Sequence, residues 1–219
     1  MGIFIFEEIL YGHCLRFAAN EGVFSPRKAD PGSLALLQHT QFQECGKILD
    51  LGCGYGLIGI AAACVAGAAH VCMVDSDPEA VRLAKENALQ NGFADIRIVC
   101  GDGVEAVSDT MYDLILSNPP YHTDFSVAKR FIEKGFHCLN PGGRMMLVVK
   151  RLPWYQNKMA SVFGGVRVIH ENGYYVLCAE KRSAQPKSQT AKKEKQTTAK
   201  HRKRMLQSAA EKKPKRNFS

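Results

Sequence analysis

The apolar residues fall into short runs separated by amphipathic stretches and by turns carrying glycine, proline or asparagine. Lys47–Leu51, His70–Asp75, Ile96–Cys100, Tyr112–Ser117 and Arg144–Lys150 read as strands, apolar on both faces as in a sheet covered on both sides. Leu57–Ala66 is small and apolar, a helix packed closely on that sheet. Asp77-Pro78-Glu79 opens a second helix through Gln90, with Asp77 as cap and Pro78 in the first turn, and Asn91-Gly92 stops it. Asp124–Leu139 is amphipathic and helical, ended by Asn140-Pro141-Gly142-Gly143. Asn172-Gly173 between Val166–Glu171 and Tyr174–Glu180 predicts a tight hairpin. Ahead of residue 47 the pattern is weaker: Ser33–His39 is helical and Cys14–Phe17 a strand. The alternation predicts an α/β fold, a mostly parallel sheet with an antiparallel C-terminal hairpin.

The chain has 219 residues, 46% hydrophobic and 23% charged, enough for one well-cored domain. No apolar run approaches the roughly 18 residues of a membrane span. The N-terminus lacks a basic lead, and Glu7-Glu8 interrupts its apolar stretch, so no secretory leader is expected. The eight cysteines form no C-x-x-C pair, have no histidine at zinc spacing and sit mostly in apolar runs. They read as small buried hydrophobes in a reduced, cytoplasmic protein without a metal site.

The net charge of +8 is unevenly placed: residues 181–219 hold 14 of the 29 lysines and arginines and two of the 21 acidic residues. The chain before them carries 15 basic and 19 acidic residues and is mildly acidic. The organisation expected is a lead-in or cap over residues 1–46, a catalytic domain over 47–182 and a basic, disordered tail over 183–219, with transient helix near 201–211. The tail is either a solubilising terminus or an electrostatic tether to the phosphates of RNA.

The most informative stretch is Ile48-Leu49-Asp50-Leu51-Gly52-Cys53-Gly54-Tyr55-Gly56. A strand runs into glycines that open a helix, so a ligand can approach the backbone closely at a helix N-terminus. Gly54-x-Gly56-x-x-Gly59 also fits the dinucleotide fingerprint, and Asp75, ending the next strand, is placed to grip ribose hydroxyls. Several nucleotide-type cofactors use this geometry. Asp50 tips the choice away from a pyrophosphate, which it would repel, and suits the ammonium of a methionine moiety. Ser117-Asn118-Pro119-Pro120-Tyr121 then follows the fourth strand, at the edge where open α/β sheets bind ligands.

These motifs resemble those of the class I S-adenosylmethionine-dependent methyltransferases, which implies a Rossmann-like fold with a seven-stranded sheet. Asp50, Gly52, Cys53, Gly54 and Gly56 look like the first cofactor motif, Asp75-Ser76 like the second-strand acid, and Asp102-Gly103 like the loop that meets adenine. Asn118-Pro119-Pro120-Tyr121 looks like the catalytic motif of amino-group methylators, with Asn118 also beside the cofactor. Gly22-Val23-Phe24-Ser25, Asp30-x-Gly32-Ser33, Asn118-Pro119-Pro120-Tyr121-His122 and Leu152-Pro153-Trp154-Tyr155 together resemble the RsmC type, ribosomal RNA guanine-N2 methyltransferases. Members of that type often carry a second methyltransferase-like domain at the N-terminus, which 46 residues do not accommodate, and Tyr121 stands where Phe is more usual.

The resemblance implies S-adenosylmethionine as cofactor, RNA or an assembling ribosomal subunit as partner, and no membrane. Asn118 Oδ1 and the Pro119 carbonyl accept from the target amine, Pro120 stiffens the loop, and Tyr121 stacks on the base. His122 contacts the base or orients its loop; Phe24 and Ser25 form a lid or pack. Lys150-Arg151 steer phosphate or are solvated charges, and Trp154-Tyr155 line the substrate face or pack. Cys53 is filler in the cofactor loop. The alternatives are adenine-N6 methylation, glutamine-N5 methylation of a protein, an idle RNA-binding module, and a pyridine-nucleotide oxidoreductase.

Overall fold

The structure, a computed structural model, describes residues 2–23, 25–42, 45–120 and 125–182. The elements run β1 (Ile3–Leu10), β2 (His13–Asn20), α1 (Pro31–Gln38), β3 (Ile48–Leu51), α2 (Leu57–Ala66), β4 (Val71–Asp75), α3 (Pro78–Gln90), β5 (Arg97–Cys100), β6 (Tyr112–Ser117), α4 (Phe125–Cys138), β7 (Leu139–Val149), α5 (Leu152–Phe163), β8 (Arg167–Glu171) and β9 (Tyr174–Glu180). The tail and the helix expected near 201–211 lie outside the described residues.

Seven strands form one sheet in the order β5-β4-β3-β6-β7-β9-β8. β5 through β7 are mutually parallel, while β9 is antiparallel to both β7 and β8. The chain steps outward from β3 to β4 to β5, then returns past β3 to β6 and proceeds the other way. The reversal leaves a crevice beyond the carboxyl ends of β3, β4 and β6, the natural ligand position in such a sheet.

Period-two alternation assigns the core. Ile48, Met73, Leu114, Leu116, Met146 and Val148 face α1, α2 and α3, while Leu49, Leu51, Val74, Ile115, Leu147 and Val149 face α4 and α5. Both sets are buried, which is why these strands read as continuous apolar runs. Asp77 caps α3 by accepting from the Glu79 amide, with Pro78 in the first turn, as expected. Asn172 and Gly173, both at positive φ, make the tight turn joining β8 and β9.

Two expectations are corrected. Asn140-Pro141-Gly142-Gly143 does not break the chain between helix and strand but forms the start of β7. The irregularity is absorbed by a register shift opposite β6, while the Gly142 amide donates to the Lys181 carbonyl and the Lys181 amide to Gly143. The N-terminal segment is more ordered than its pattern suggested. β1 and β2 pair over their full length through a turn at Tyr11 and Gly12, both at positive φ. β1 hid because Ile3, Ile5 and Ile9 face solvent while Phe4, Phe6 and Leu10 face inward, so no polar–apolar alternation survives.

Side-chain amides of α3 hold this hairpin to the domain. Asn87, fully buried, accepts from the Ala18 amide (2.8 Å) and donates to the carbonyls of Ala18 (2.9 Å) and Tyr55 (2.9 Å). One turn later Asn91 makes the equivalent pair with Arg16, accepting from its amide at 2.9 Å and donating to its carbonyl at 2.7 Å. Two asparagines four residues apart thus stand in for a missing strand along the edge of β2. Replacing Asn87 by Leu removes the partners of three backbone groups, two half-buried and one buried, and the expected loss is about 2–4 kcal/mol. Urea unfolding of Asn87→Leu checks this; an unchanged midpoint and slope contradict it.

Candidate active site

A cleft of about 390 Å³ opens at the topological reversal. Its floor is the turn between β3 and α2. Gly52, Gly54 and Gly56 all take positive φ, at 76°, 55° and 95°. A Cβ on Gly54 would project into open space, so the backbone there is bare to a ligand. Gly59 serves packing instead: a Cβ would lie 2.2 Å from Met73 Sδ and 3.2 Å from Asp50 Oδ2, so only glycine lets α2 sit this close to β4.

The turn is latched to the end of β4. The amides of Gly52 and Cys53 both donate to the Val74 carbonyl, at 2.9 and 3.0 Å. Asp75 accepts from the Gly54 amide through Oδ2 (2.8 Å) and from the Asp77 amide through Oδ1 (3.0 Å). Its carboxylate is thereby fixed at the cleft wall beside Ser76 and Asp77.

The opposite wall carries Asn118, Pro119 and Pro120 at the end of β6. Asn118 Nδ2 donates to Asp30 Oδ2 (2.8 Å) and to Ser33 Oγ (2.9 Å). Asp30 is the N-cap of α1, and the same Oδ2 accepts from the Ser33 amide at 2.8 Å. Asp102 and Gly103 complete the rim, where Arg130 of α4 donates to Asp102 Oδ1 at 2.5 Å.

Of the residues expected at the site, Gly52, Cys53, Gly54, Asp75, Ser76, Asp102, Gly103, Asn118, Pro119 and Pro120 line this one cleft. Gly56 caps α2 from behind it. Asp50 is the correction: expected at a ligand's ammonium group, it is wholly buried beneath the turn and is not part of the cleft lining. Its Oδ2 accepts from the Gly59 amide in the first turn of α2 (2.8 Å), while Oδ1 is buried without a hydrogen-bond partner among the described residues. Tyr121, His122 and Phe24 lie outside the described residues.

Lys150 and Arg151 are exposed, Lys150 with its ammonium 5.2 Å from the Tyr174 ring centre. Trp154 stacks on Phe125 with ring centres 4.4 Å apart, and Tyr155 is buried against the same pair. Burial, then the charges of Asp50 and Asp75, push the Cys53 thiol well above its ordinary pKa, which suits filler and not a nucleophile. Arg130 had no sequence signal, lying inside an ordinary amphipathic helix. Asp30 and Ser33 were visible as residues but not as partners of Asn118, since 85 or more positions separate them.

Comparison with known proteins agrees with this architecture. A model of the methyltransferase small domain matches residues 14–179. The chain belongs to that family. Among its relatives, the YbxB protein of Bacillus subtilis is 33% identical over 171 residues, covering 75% of this chain and 85% of that protein. Ribosomal RNA small subunit methyltransferase C of Shewanella amazonensis is 33% identical over 165 residues, covering 74% of this chain and 48% of its own length. A solved structure of the Thermus thermophilus 16S rRNA N2 G1207 methyltransferase RsmC, with AdoMet and guanosine, superposes with a TM-score of 0.74 at 29% identity. It covers 81% of this chain and 50% of that one, so the chain spans about half the length of these RsmC proteins. The fold is that of the class I methyltransferases, as the motifs implied.

Burial raises the Asp50 carboxyl from 3.8 to about 7, with the Gly59 amide partly opposing the shift and the Asp75 charge adding to it. Between these values the folded protein keeps a proton that the unfolded chain has lost. Stability therefore falls as pH rises from about 4 to about 7 and levels off above. Asp50→Asn has no such titration, so its melting temperature should gain on that of the parent protein across this window. A difference that does not change with pH contradicts the assignment.

Proposed function

We propose that this chain transfers a methyl group from S-adenosylmethionine to an exocyclic amine of RNA, most specifically guanine N2 of ribosomal RNA. The observation that carries this reading is the placement of Asn118, its amide nitrogen held by Asp30 and Ser33, across a single cleft from the glycine turn and Asp75. Family membership and the likeness to a structure containing AdoMet and guanosine support the choice of cofactor and base.

The residues present fit that cofactor. Gly54 offers bare backbone, Asp75 a fixed carboxylate for ribose hydroxyls, and Asp102-Gly103 a rim for the adenine. Bound S-adenosylmethionine supplies an electrophilic methyl group on a sulfonium centre. The chain's part is to make a poor nucleophile better. Guanine N2 is weakly nucleophilic because its lone pair is delocalised into the ring. Asn118 Oδ1 and the Pro119 carbonyl accept the two N–H groups and draw the lone pair back onto nitrogen. The methylated nitrogen, a strong acid, sheds one proton to solvent, so catalysis is positioning and electrostatics with no strong general base required. Tyr121 stacks on the target base, which leaves its helix or comes from an unpaired region.

The domain limits proposed are a cap over 1–46, the catalytic domain over 47–182 and a basic tail over 183–219 that tethers RNA phosphates in the cytoplasm. Residues 1–46 are joined closely to the rest through Asn87, Asn91 and Asp30.

A substrate RNA transcribed with inosine in place of guanosine lacks the 2-amino group and should accept no methyl from labelled S-adenosylmethionine; full incorporation into such RNA contradicts guanine N2 as the acceptor. Asp75→Ala should weaken cofactor binding by about 100-fold, as expected for two lost hydrogen bonds to a charged group, and calorimetry giving an unchanged Kd rules out the ribose role. Deleting residues 183–219 should flatten the salt dependence of RNA binding while sparing cofactor affinity. An unchanged salt slope makes the tail a solubiliser.

A further inference from the structure

Every amide side chain has two ends of similar shape and opposite hydrogen-bonding sense, and which end faces a substrate decides what chemistry it selects. At Asn118 the surroundings make that decision. Asp30 Oδ2 can only accept from an N–H, and it lies 2.8 Å from Asn118 Nδ2. The second N–H of the same amide has its acceptor in Ser33 Oγ at 2.9 Å. Turning the amide over would set its carbonyl oxygen against the Asp30 carboxylate, two acceptors in contact in a half-buried site. The donor capacity of Asn118 is thus spent on the protein, and toward any ligand in the cleft the side chain acts as an acceptor.

Asp30 is itself held in place by its surroundings. It is buried at 5% exposure and caps α1 through the same Oδ2 that receives Asn118. Ser33 is buried at 6% and lies one turn into that helix. At Gly32, between them, a Cβ would stand 2.7 Å from the Tyr174 ring and 2.9 Å from Asp30 Oδ2, so the helix start is pressed against β9 and its own cap. α1 is anchored at its other end, where His39 Nε2 meets Glu171 Oε2 of β8 at 3.1 Å.

We propose that Asp30 and Ser33 are positioning residues that fix the Asn118 amide as an acceptor, so that the site takes a hydrogen-bond donor such as an amino group over an unprotonated ring nitrogen. The inference rests on the methyltransferase reading above and adds to it what sets the acceptor's direction. It also gives the first turn of α1 a role in the chemistry of a loop 88 positions away.

The test separates capping from positioning. Asp30→Ser keeps a good helix cap but carries a hydroxyl on a shorter arm that does not span to Asn118. Asp30→Asn keeps a carbonyl oxygen at full reach for both Ser33 and Asn118. Each variant, with Asn118→Ala alongside, is assayed as the full chain with labelled S-adenosylmethionine and ribosomal RNA from cells lacking the gene. Asp30→Ser is expected to lower kcat by about 100-fold, the cost of a misplaced catalytic contact, with the Kd for S-adenosylmethionine within about twofold of the parent. Asp30→Asn is expected to recover kcat to within about tenfold of the parent. Should Asp30→Ser fail to fold, Ser33→Ala removes only the Oγ acceptor, and a fall in kcat with cofactor affinity retained supports the same role.

A folded Asp30→Ser with full turnover overturns the proposal. So does a loss of cofactor affinity in step with kcat, which would make Asp30 a cofactor ligand, or an Asp30→Asn no better than Asp30→Ser. If Asn118→Ala itself turns over normally, the catalytic reading of Asn118 falls and this inference with it. If Asn118→Ala is inactive while Asp30→Ser is not, only the positioning role falls.

Discussion

The latch between the glycine turn and the end of β4 is the interaction on which the rest depends. Three consecutive amides, Gly52 to Gly54, are satisfied by the Val74 carbonyl and the Asp75 carboxylate. Backbone of this shape, with three left-handed glycines in five residues, makes no helix or strand bonds of its own and would otherwise leave these donors unpaired. The latch places Asp75 beside the bare Gly54 backbone. Beneath it the Gly59–Asp50 bond sets the first turn of α2. Cofactor wall and helix start follow from one local arrangement, and the cleft forms because the strand order reverses just there.

Sequence carried most of this arrangement because its signals are local. β3, β4 and β6 are apolar on both faces, so they declare themselves as runs. The bounds of α2 and α3 follow from the glycine turn and from Asp77-Pro78 with Asn91-Gly92. The β8–β9 turn was legible in Asn172-Gly173 because few residue pairs accept two successive positive φ angles. The same motifs brought ten of the expected site residues to one cleft.

What escaped was non-local or ambiguous. Asp50 was legible as a carboxylate at a strand end, but whether a side chain there points up to a ligand or down under a helix depends on the strand's register. It points down. β1 was hidden by isoleucines on its solvent face, and Asn140-Pro141-Gly142-Gly143 carries the residues of a break while Lys181, far along the chain, supplies the bonds that make it strand. The partnership of Asp30 with Asn118 needs tertiary structure to be seen. It also explains why the N-terminal segment is built so firmly into the domain: its hairpin is tied to α3 by Asn87 and Asn91, and its helix to the Asn118 loop by Asp30.

Methylation of guanine N2 in ribosomal RNA, as proposed for this cleft, is read out by nucleoside mass spectrometry. Ribosomal RNA of each subunit is compared between cells with and without the gene. Without the gene, one N2-methylguanosine is expected to be lost from one subunit, restored by the intact gene and not by Asn118→Ala. An identical set of methylated guanosines in both strains contradicts it.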